Sequence, residues 1–279
     1  MFLVETVADL QNKLREIKSN GAVGLVPTMG ALHKGHISLV NQAMKENKLV
    51  VVSIFVNPTQ FNDPTDLERY PRNLDSDLEL LNTTDCHIVF TPSVEEVYPE
   101  TDKRIFNFGE LETTMEGKHR PGHFNGVAQI VSKLFEMVKP DKAYFGLKDF
   151  QQLAIIKNLV QQLDLPVEIV ACPIVREESG LAMSSRNELL SMEERINAAV
   201  ISKTLFKAKE LNGQKSVHEL AAWITENINK NPFLTVEYVE IVDDENLQPV
   251  ENWNEKIAKV ACVAVYCGKV RLIDNIVFN

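Results

Sequence analysis

Short apolar runs that alternate with stretches of helical spacing constrain this chain more than any other feature. Ala22–Val26, Leu49–Val56, His87–Phe90, Lys142–Phe145 and Val167–Cys172 read as buried strands. Ile37–Glu46, Asp66–Asn82, Gly126–Val138 and Gln151–Leu163 carry apolar residues at helical intervals between them. Parallel strands need long crossovers, so this alternation predicts an α/β fold: a Rossmann-like parallel sheet flanked by helices. Right-handed crossovers bring the loops that leave the strands to one edge of that sheet. The edge is predicted to collect Pro27–His36, Asn57–Phe61 and Gly146–Asp149.

The texture changes after residue 175. Ser191–Leu211 and Ser216–Ile228 read as helices, and Leu234–Val242, Ile257–Tyr266 and Val270–Asp274 as strands. Tyr266-Cys-Gly-Lys269 is a hairpin signal between the last two. The expectation is therefore a first domain over 1–175 and a smaller α+β C-terminal domain over 176–279. Asp243-Asp-Glu245 reads as a solvated loop.

Charge and cysteine use narrow the function. The formal net charge of −10 argues against broad nucleic-acid binding, which needs a basic face. It leaves room for an anionic substrate, because a site can be locally positive. The 4 cysteines form no Cys-x-x-Cys pair and sit in apolar surroundings, as small buried hydrophobes do. The N-terminal residues lack a signal-peptide pattern, and no apolar run reaches the roughly 18 residues of a membrane span. A cytoplasmic protein that binds neither membrane nor nucleic acid is expected.

The chemistry is concentrated at Pro27-Thr-Met-Gly-Ala-Leu-His33-Lys-Gly-His36, where a strand hands over to a helix. A helix N-terminus there favours phosphate, and Gly30 and Gly35 permit close approach of the backbone. Two imidazoles donate hydrogen bonds to phosphate oxygens without being fully protonated. Taken alone the pair also fits a structural role or a metal site. A second element, Met183-Ser-Ser-Arg-Asn187, offers hydroxyls and a guanidinium suited to polyphosphate. Alone it also fits a helix N-cap. Together the two resemble the phosphate elements of an adenylating enzyme.

Six motifs then identify the chain as a member of the pantothenate synthetase (pantoate–β-alanine ligase) family. They are Pro27–His36, Phe55-Val-Asn-Pro-Thr-Gln-Phe61, Tyr70-Pro-Arg-Asn73, Arg120-Pro-Gly-His-Phe-Asn-Gly-Val127, Tyr144-Phe-Gly-Leu-Lys-Asp-Phe-Gln-Gln152 and Met183–Asn187. The resemblance runs nearly end to end. It implies ATP-dependent joining of pantoate and β-alanine to give pantothenate, AMP and pyrophosphate through a pantoyl-adenylate, with Mg²⁺ accompanying ATP. It also implies a homodimer. Residues implied to bind ATP are Met29, Gly30, Ala31, Leu32, His33, Lys34, Gly35 and His36, then Gly146, Leu147, Lys148 and Asp149, then Val175, Met183, Ser184, Ser185 and Arg186. His33, His36, Lys148 and Arg186 are the expected catalytic residues, and no protein metal ligand is expected. Gln60 and Gln152 are the implied pantoate contacts, since neutral amides both donate to and accept from hydroxyl and carboxyl oxygens. Arg120 and His123 are read as shaping the pantoate end or as structural. The family has Asp-Gly-Leu ahead of its Ser-Ser-Arg segment, whereas this chain has Ser179-Gly-Leu. The segment 176–187 is expected to be a mobile loop that closes over ATP. The competing enzyme is a nucleotidylyltransferase that moves AMP onto a phosphorylated acceptor, and a nucleotide-sensing module is the non-enzymatic alternative. A phosphate acceptor would call for Arg or Lys where Gln60 and Gln152 stand.

Overall fold

Valine-rich strands with no face for water form the centre of a six-stranded sheet. The structure, a computed structural model, describes residues 1–17, 21–255 and 257–278. Strands β1 (Phe2–Val4), β2 (Val23–Thr28), β3 (Leu49–Ile54), β4 (Ile88–Phe90), β5 (Lys142–Gly146) and β6 (Glu168–Cys172) lie in the order β1-β4-β3-β2-β5-β6. Every pairing in this sheet is parallel, with Val26 opposite Val52 and Leu25 opposite Ala143. Helices α1 (Val7–Ile17), α2 (Lys34–Glu46), α3 (Pro64–Arg69), α4 (Leu74–Leu81), α5 (Val94–Val97), α6 (Met115–His119), α7 (His123–Val138) and α8 (Phe150–Gln162) are interspersed with the strands. On one face of the sheet, Leu39, Val40 and Ala43 of α2 share a buried cluster with Val26, Val50, Val52 and Tyr144. The chain moves from β2 to β3 on one side and from β5 to β6 on the other, so strand order reverses between the neighbours β2 and β5. A crevice at the carboxyl ends of such a pair is where open α/β sheets take ligands.

Two compact units are distinguished. One comprises Met1–Phe108, Arg120–Leu147 and Gln152–Pro173; the other comprises Gly109–His119, Lys148–Gln151 and Ile174–Asn279. The second unit holds helices α9 (Met192–Ala198), α10 (Val200–Glu210) and α11 (Val217–Asn229). Its antiparallel sheet has strands β7 (Leu234–Asp243), β8 (Lys259–Cys267) and β9 (Val270–Phe278) in that order. Ile201, Leu205, Leu220 and Ile224 pack with Ala261, Val263, Val265 and Leu272 in its core. The hairpin turn between β8 and β9 puts Gly268 at φ +56°, a left-handed value that glycine adopts without penalty. All four cysteines are buried and free, and burial pushes each thiol pKa upward. That keeps the reactive thiolate scarce. Among the described residues no helix is long and apolar enough to cross a membrane.

Several elements differ from the sequence expectation. Asp66–Asn82 is two helices, because Pro71 falls between them and Asn73 starts a second cap by accepting from the Ser76 N–H. Ser191–Leu211 breaks at Ala199, whose N–H turns to the Asn197 carbonyl instead of continuing the i→i−4 ladder. Asp243 is buried rather than solvated, and its carboxylate accepts from the backbone of Glu245, Asn246 and Gln248. Strand β1 and helix α1 were not anticipated; three residues are too few for period-2 alternation to register.

One contact in the first unit makes a sharp test of packing. A Cβ added at Gly126 of α7 would stand 2.3 Å from the Thr59 carbonyl oxygen and 2.7 Å from the Gln60 Cα. Gly126→Ala is expected to cost about 1–3 kcal/mol, since backbone must shift to admit the methyl. Urea unfolding checks this, and an unchanged midpoint would show that the turn is not packed as described.

Candidate active site

The turn after β2 is bent through two left-handed residues, Gly30 at φ +79° and Ala31 at φ +48°. A left-handed alanine costs free energy unless its surroundings hold it there. The hold comes from Asp77 on α4. Its carboxylate accepts the N–H of Ala31 at 3.0 Å and of Leu32 at 2.6 Å. Asp77 is buried; desolvation raises its pKa above the ordinary carboxylate value, against the opposing pull of those two N–H donors. Sequence reasoning passed over Asp77. The available signal was an acid within the apolar helical pattern of Leu74, Leu78 and Leu81.

From that turn the chain enters α2 through a reciprocal cap. His33 is the N-cap, and its Nδ1 accepts the Gly35 N–H at 3.1 Å. His36 stands three residues on, and its Nδ1 accepts the His33 N–H at 3.3 Å. The helix therefore starts at Lys34, three residues earlier than its apolar pattern implied. The two rings lie 4.0 Å apart at 30°. Because each Nδ1 is an acceptor, the hydrogen of each neutral ring sits on Nε2. The same cap thus satisfies two helix-start donors and sets both tautomers. Met29 and Gly30 lead into this corner; Leu32 is buried, Lys34 is exposed, and Gly35 is the second residue of the helix.

Gln60 closes the short 3₁₀ turn Pro58–Gln60 after β3 and is buried. Its amide orientation is dictated by Asn57. Asn57 Oδ1 accepts the Tyr98 hydroxyl at 2.8 Å, so its Nδ2 faces Gln60 Oε1 at 3.1 Å and the Gly126 carbonyl at 3.0 Å. Gln60 Nε2 is left as the donor end and lies 3.0 Å from the Met29 sulfur. His123, buried at the start of α7, donates from Nδ1 to the Gln60 carbonyl at 2.8 Å. Its Nε2 then accepts from Arg120 at 3.2 Å. Arg120 and His123 thus brace the Gln60 turn. Tyr98 was missed by sequence reasoning, and Asn57 was read only as part of the Asn57–Phe61 loop, without its role in orienting Gln60.

The remaining predicted residues divide between the two units. Gly146 ends β5 beside β2, and Leu147–Asp149 form a 3₁₀ turn. Lys148 is largely buried, and its ammonium lies 3.5 Å from the Asp149 carboxylate. Gln152 is half-buried on α8. Its neighbour Gln151 is structural, donating to the Leu111 and Thr114 carbonyls and accepting from the Glu116 N–H.

Within 176–187, the stretch from Val175 to Met183 is a hairpin, and a 3₁₀ turn at Ser185–Leu189 follows it. Arg176 and Ala182 pair antiparallel, the Glu177 N–H donates to Leu181 at 2.9 Å, and Gly180 turns at φ +94°. The Met183 N–H continues the ladder to the Val175 carbonyl at 3.0 Å. Glu177 ties the hairpin to Arg195 and to the Asn187 amide. Ser179 accepts the Leu181 N–H at 3.3 Å. Ser184 caps the 3₁₀ turn Ser185–Leu189 by accepting the Arg186 N–H. Among the described residues no group of three or more His, Cys, Asp or Glu converges as a metal site.

Comparison with known proteins agrees along the whole chain. The family model described as Pantoate-beta-alanine ligase matches residues 2–277. The chain is 56% identical over 280 residues to the pantothenate synthetase of Porphyromonas gingivalis, covering 100% of both. It is 57% identical over 280 residues to that of Bacteroides fragilis, covering 100% of this chain and 99% of the relative. Its fold is similar to the crystal structure of pantothenate synthetase from Thermus thermophilus, with a TM-score of 0.91, 44% identity and 99% of each chain covered. A pantoate-beta-alanine ligase from Francisella tularensis, crystallised with "Beta-gamma ATP and Beta-alanine", matches with a TM-score of 0.83 and 36% identity over 99% of this chain and 97% of that one.

The Asp77 clamp can be tested directly. Asp77→Asn keeps the volume but replaces one acceptor oxygen with an N–H donor facing another donor. It is expected to cost about 1–3 kcal/mol and to speed amide exchange at Ala31 and Leu32. Chemical denaturation and hydrogen exchange read the two effects; wild-type exchange at both amides would refute the clamp.

Proposed function

The chain belongs to the pantoate-beta-alanine ligase family, and from that membership we propose how its residues carry out the condensation of pantoate with β-alanine. ATP is the activating substrate. In the proposed first step a pantoate carboxylate oxygen attacks the α-phosphorus of ATP, pyrophosphate leaves, and pantoyl-adenylate forms. In the second step the β-alanine amine attacks the acyl carbon, loses a proton, and expels AMP. The substrate carboxylate and amine are the nucleophiles, so the protein must supply alignment and charge stabilisation.

The observation that carries this reading is the reciprocal cap of His33 and His36. It puts two Nε2–H donors of set tautomer at the start of a 13-residue helix, next to the reversal of strand order. Such donors meet phosphate charge as it shifts from the attacking to the leaving oxygen, and they need no protonation change to do so. The backbone from Met29 to Gly35 is assigned to nucleotide binding, as are Gly146 to Asp149 and Val175. Lys148 and Arg186 neutralise phosphate charge, and Ser184 and Ser185 supply further donors. Mg²⁺ accompanying ATP would neutralise polyphosphate charge, and no residue of this chain is proposed to hold it. Gln60, donor end forward, and Gln152 hold pantoate. The neutral amide at Gln60 favours a hydroxy acid over a phosphorylated acceptor, which sets the ligase above a nucleotidylyltransferase. A cytoplasmic homodimer completes the proposal; four buried free thiols suit a reducing compartment.

Pantoate-dependent exchange between ATP and pyrophosphate tests the first step. His36→Ala is expected to slow it by about 10²–10³, the worth of roughly 3–4 kcal/mol for one preorganised donor, with the fold retained. His33→Ala should behave similarly. Near-normal pantoyl-adenylate formation by either variant would refute the role.

Gln60→Ala separates the substrates. Its KM for pantoate should rise while its KM for ATP stays near wild type, because Gln60 stands on a different loop from both phosphate elements. Titrating each substrate in turn reads this, and an equal rise for ATP would contradict it.

A further inference from the structure

Lys148 and the hairpin that leads to Arg186 are held by adjacent residues of one strand. Asp274 and Asn275 follow each other on β9, paired with Val263 and Cys262 of β8, and both are buried. Successive residues of a strand project to opposite sides. Asp274 takes the Arg176 guanidinium in a two-pronged ion pair, Nη1 at 2.6 Å and Nη2 at 2.9 Å. Nη1 of Arg176 also donates to the Gly180 carbonyl at 3.2 Å, which draws the hairpin tip onto its own root. Asn275 donates from Nδ2 to the Lys148 carbonyl at 2.9 Å. The Asn275 N–H in turn donates to the Asp274 carboxylate at 2.8 Å, which links the two anchors.

We propose that Asp274 and Asn275 are positioning residues that fix Lys148 and the hairpin that leads to Arg186 to one rigid strand, and so set the spacing of the two cationic groups along the polyphosphate. This rests on the reading of Lys148 and Arg186 as phosphate ligands. The physical argument is one of stiffness. A lysine on a three-residue 3₁₀ turn and an arginine on a turn beyond a hairpin are each tethered to chain that can rock. Charge stabilisation in the transition state requires both to be in place beforehand, since reorganising them during reaction consumes the gain. A strand laddered over its whole length to β8 does not rock, and a two-pronged carboxylate–guanidinium pair fixes angle as well as distance. Neither residue needs to touch substrate.

The test uses the full-length enzyme and pantoate-dependent ATP–pyrophosphate exchange, with thermal melting measured alongside. Asn275→Ala is expected to lower kcat roughly 10–100-fold and raise the KM for ATP, leaving the KM for pantoate and the melting temperature near wild type. Asn275→Ser, which keeps a shorter donor, should recover part of the loss. Asp274→Asn should lower kcat similarly through the hairpin. Lys148→Ala serves as the reference. If Lys148→Ala is defective but Asn275→Ala and Asp274→Asn both match wild type, the positioning role is overturned while the ligand reading stands. If Lys148→Ala itself matches wild type, the ligand reading fails and this inference with it. Should Asn275→Ala fail to fold, Asn275→Ser and Asp274→Asn decide. Loss of kcat at unchanged melting supports the proposal. Wild-type kinetics, or a uniform change in every parameter that follows a fallen melting temperature, overturns it.

Discussion

Two imidazoles that each accept a backbone N–H set the terms for the rest of the first unit. His33 and His36 could each carry their hydrogen on either nitrogen in water. Capping α2 removes that freedom, because an acceptor nitrogen cannot hold a hydrogen. A side chain that caps its own helix also moves little, so both rings are placed as firmly as the backbone that they close. This arrangement depends on the turn before it. Gly30 and Ala31 must stay left-handed for His33 to reach the cap, and the Asp77 carboxylate keeps them so by taking two successive N–H groups.

The same logic recurs around Gln60. A lone glutamine amide can face either way. Here the Tyr98 hydroxyl determines which end of Asn57 accepts, Asn57 determines which end of Gln60 accepts, and the Gln60 Nε2 is left to donate. The His123 ring holds the carbonyl of the same residue from behind. The closeness of α7 to this turn depends on Gly126, where no side chain fits. The Gln60 amide is thus oriented by Asn57 and Tyr98, and its backbone is held by His123.

In the second unit the supporting role falls to charge. Arg176, Glu177, Arg195 and Asp274 hold the hairpin by ion pairs at its root and flank. Ser179 contributes a hydroxyl contact to Leu181. Glu177 adds a further anchor by binding both Arg195 and Asn187.

The sequence by itself determined the class of sheet, since strand-length apolar runs separated by helix-length amphipathic ones have few other ways to bury their faces. It also determined the motifs that identify the family, because these lie in short contiguous segments such as Pro27–His36 and Met183–Asn187. Helix ends at Asn73 and Ala199 were less legible, because caps and diverted N–H groups override apolar spacing over one or two residues. What only the tertiary structure decided is which way each functional group faces. Asp77 lies 45 and 46 residues from the N–H groups that it holds, Tyr98 41 from Asn57, and Asp274 98 from Arg176. Periodicity carries no information over such separations. A hydrogen bond between distant residues exists only once the chain has packed, so the tautomer of His123 and the orientation of the Gln60 amide are properties of the fold.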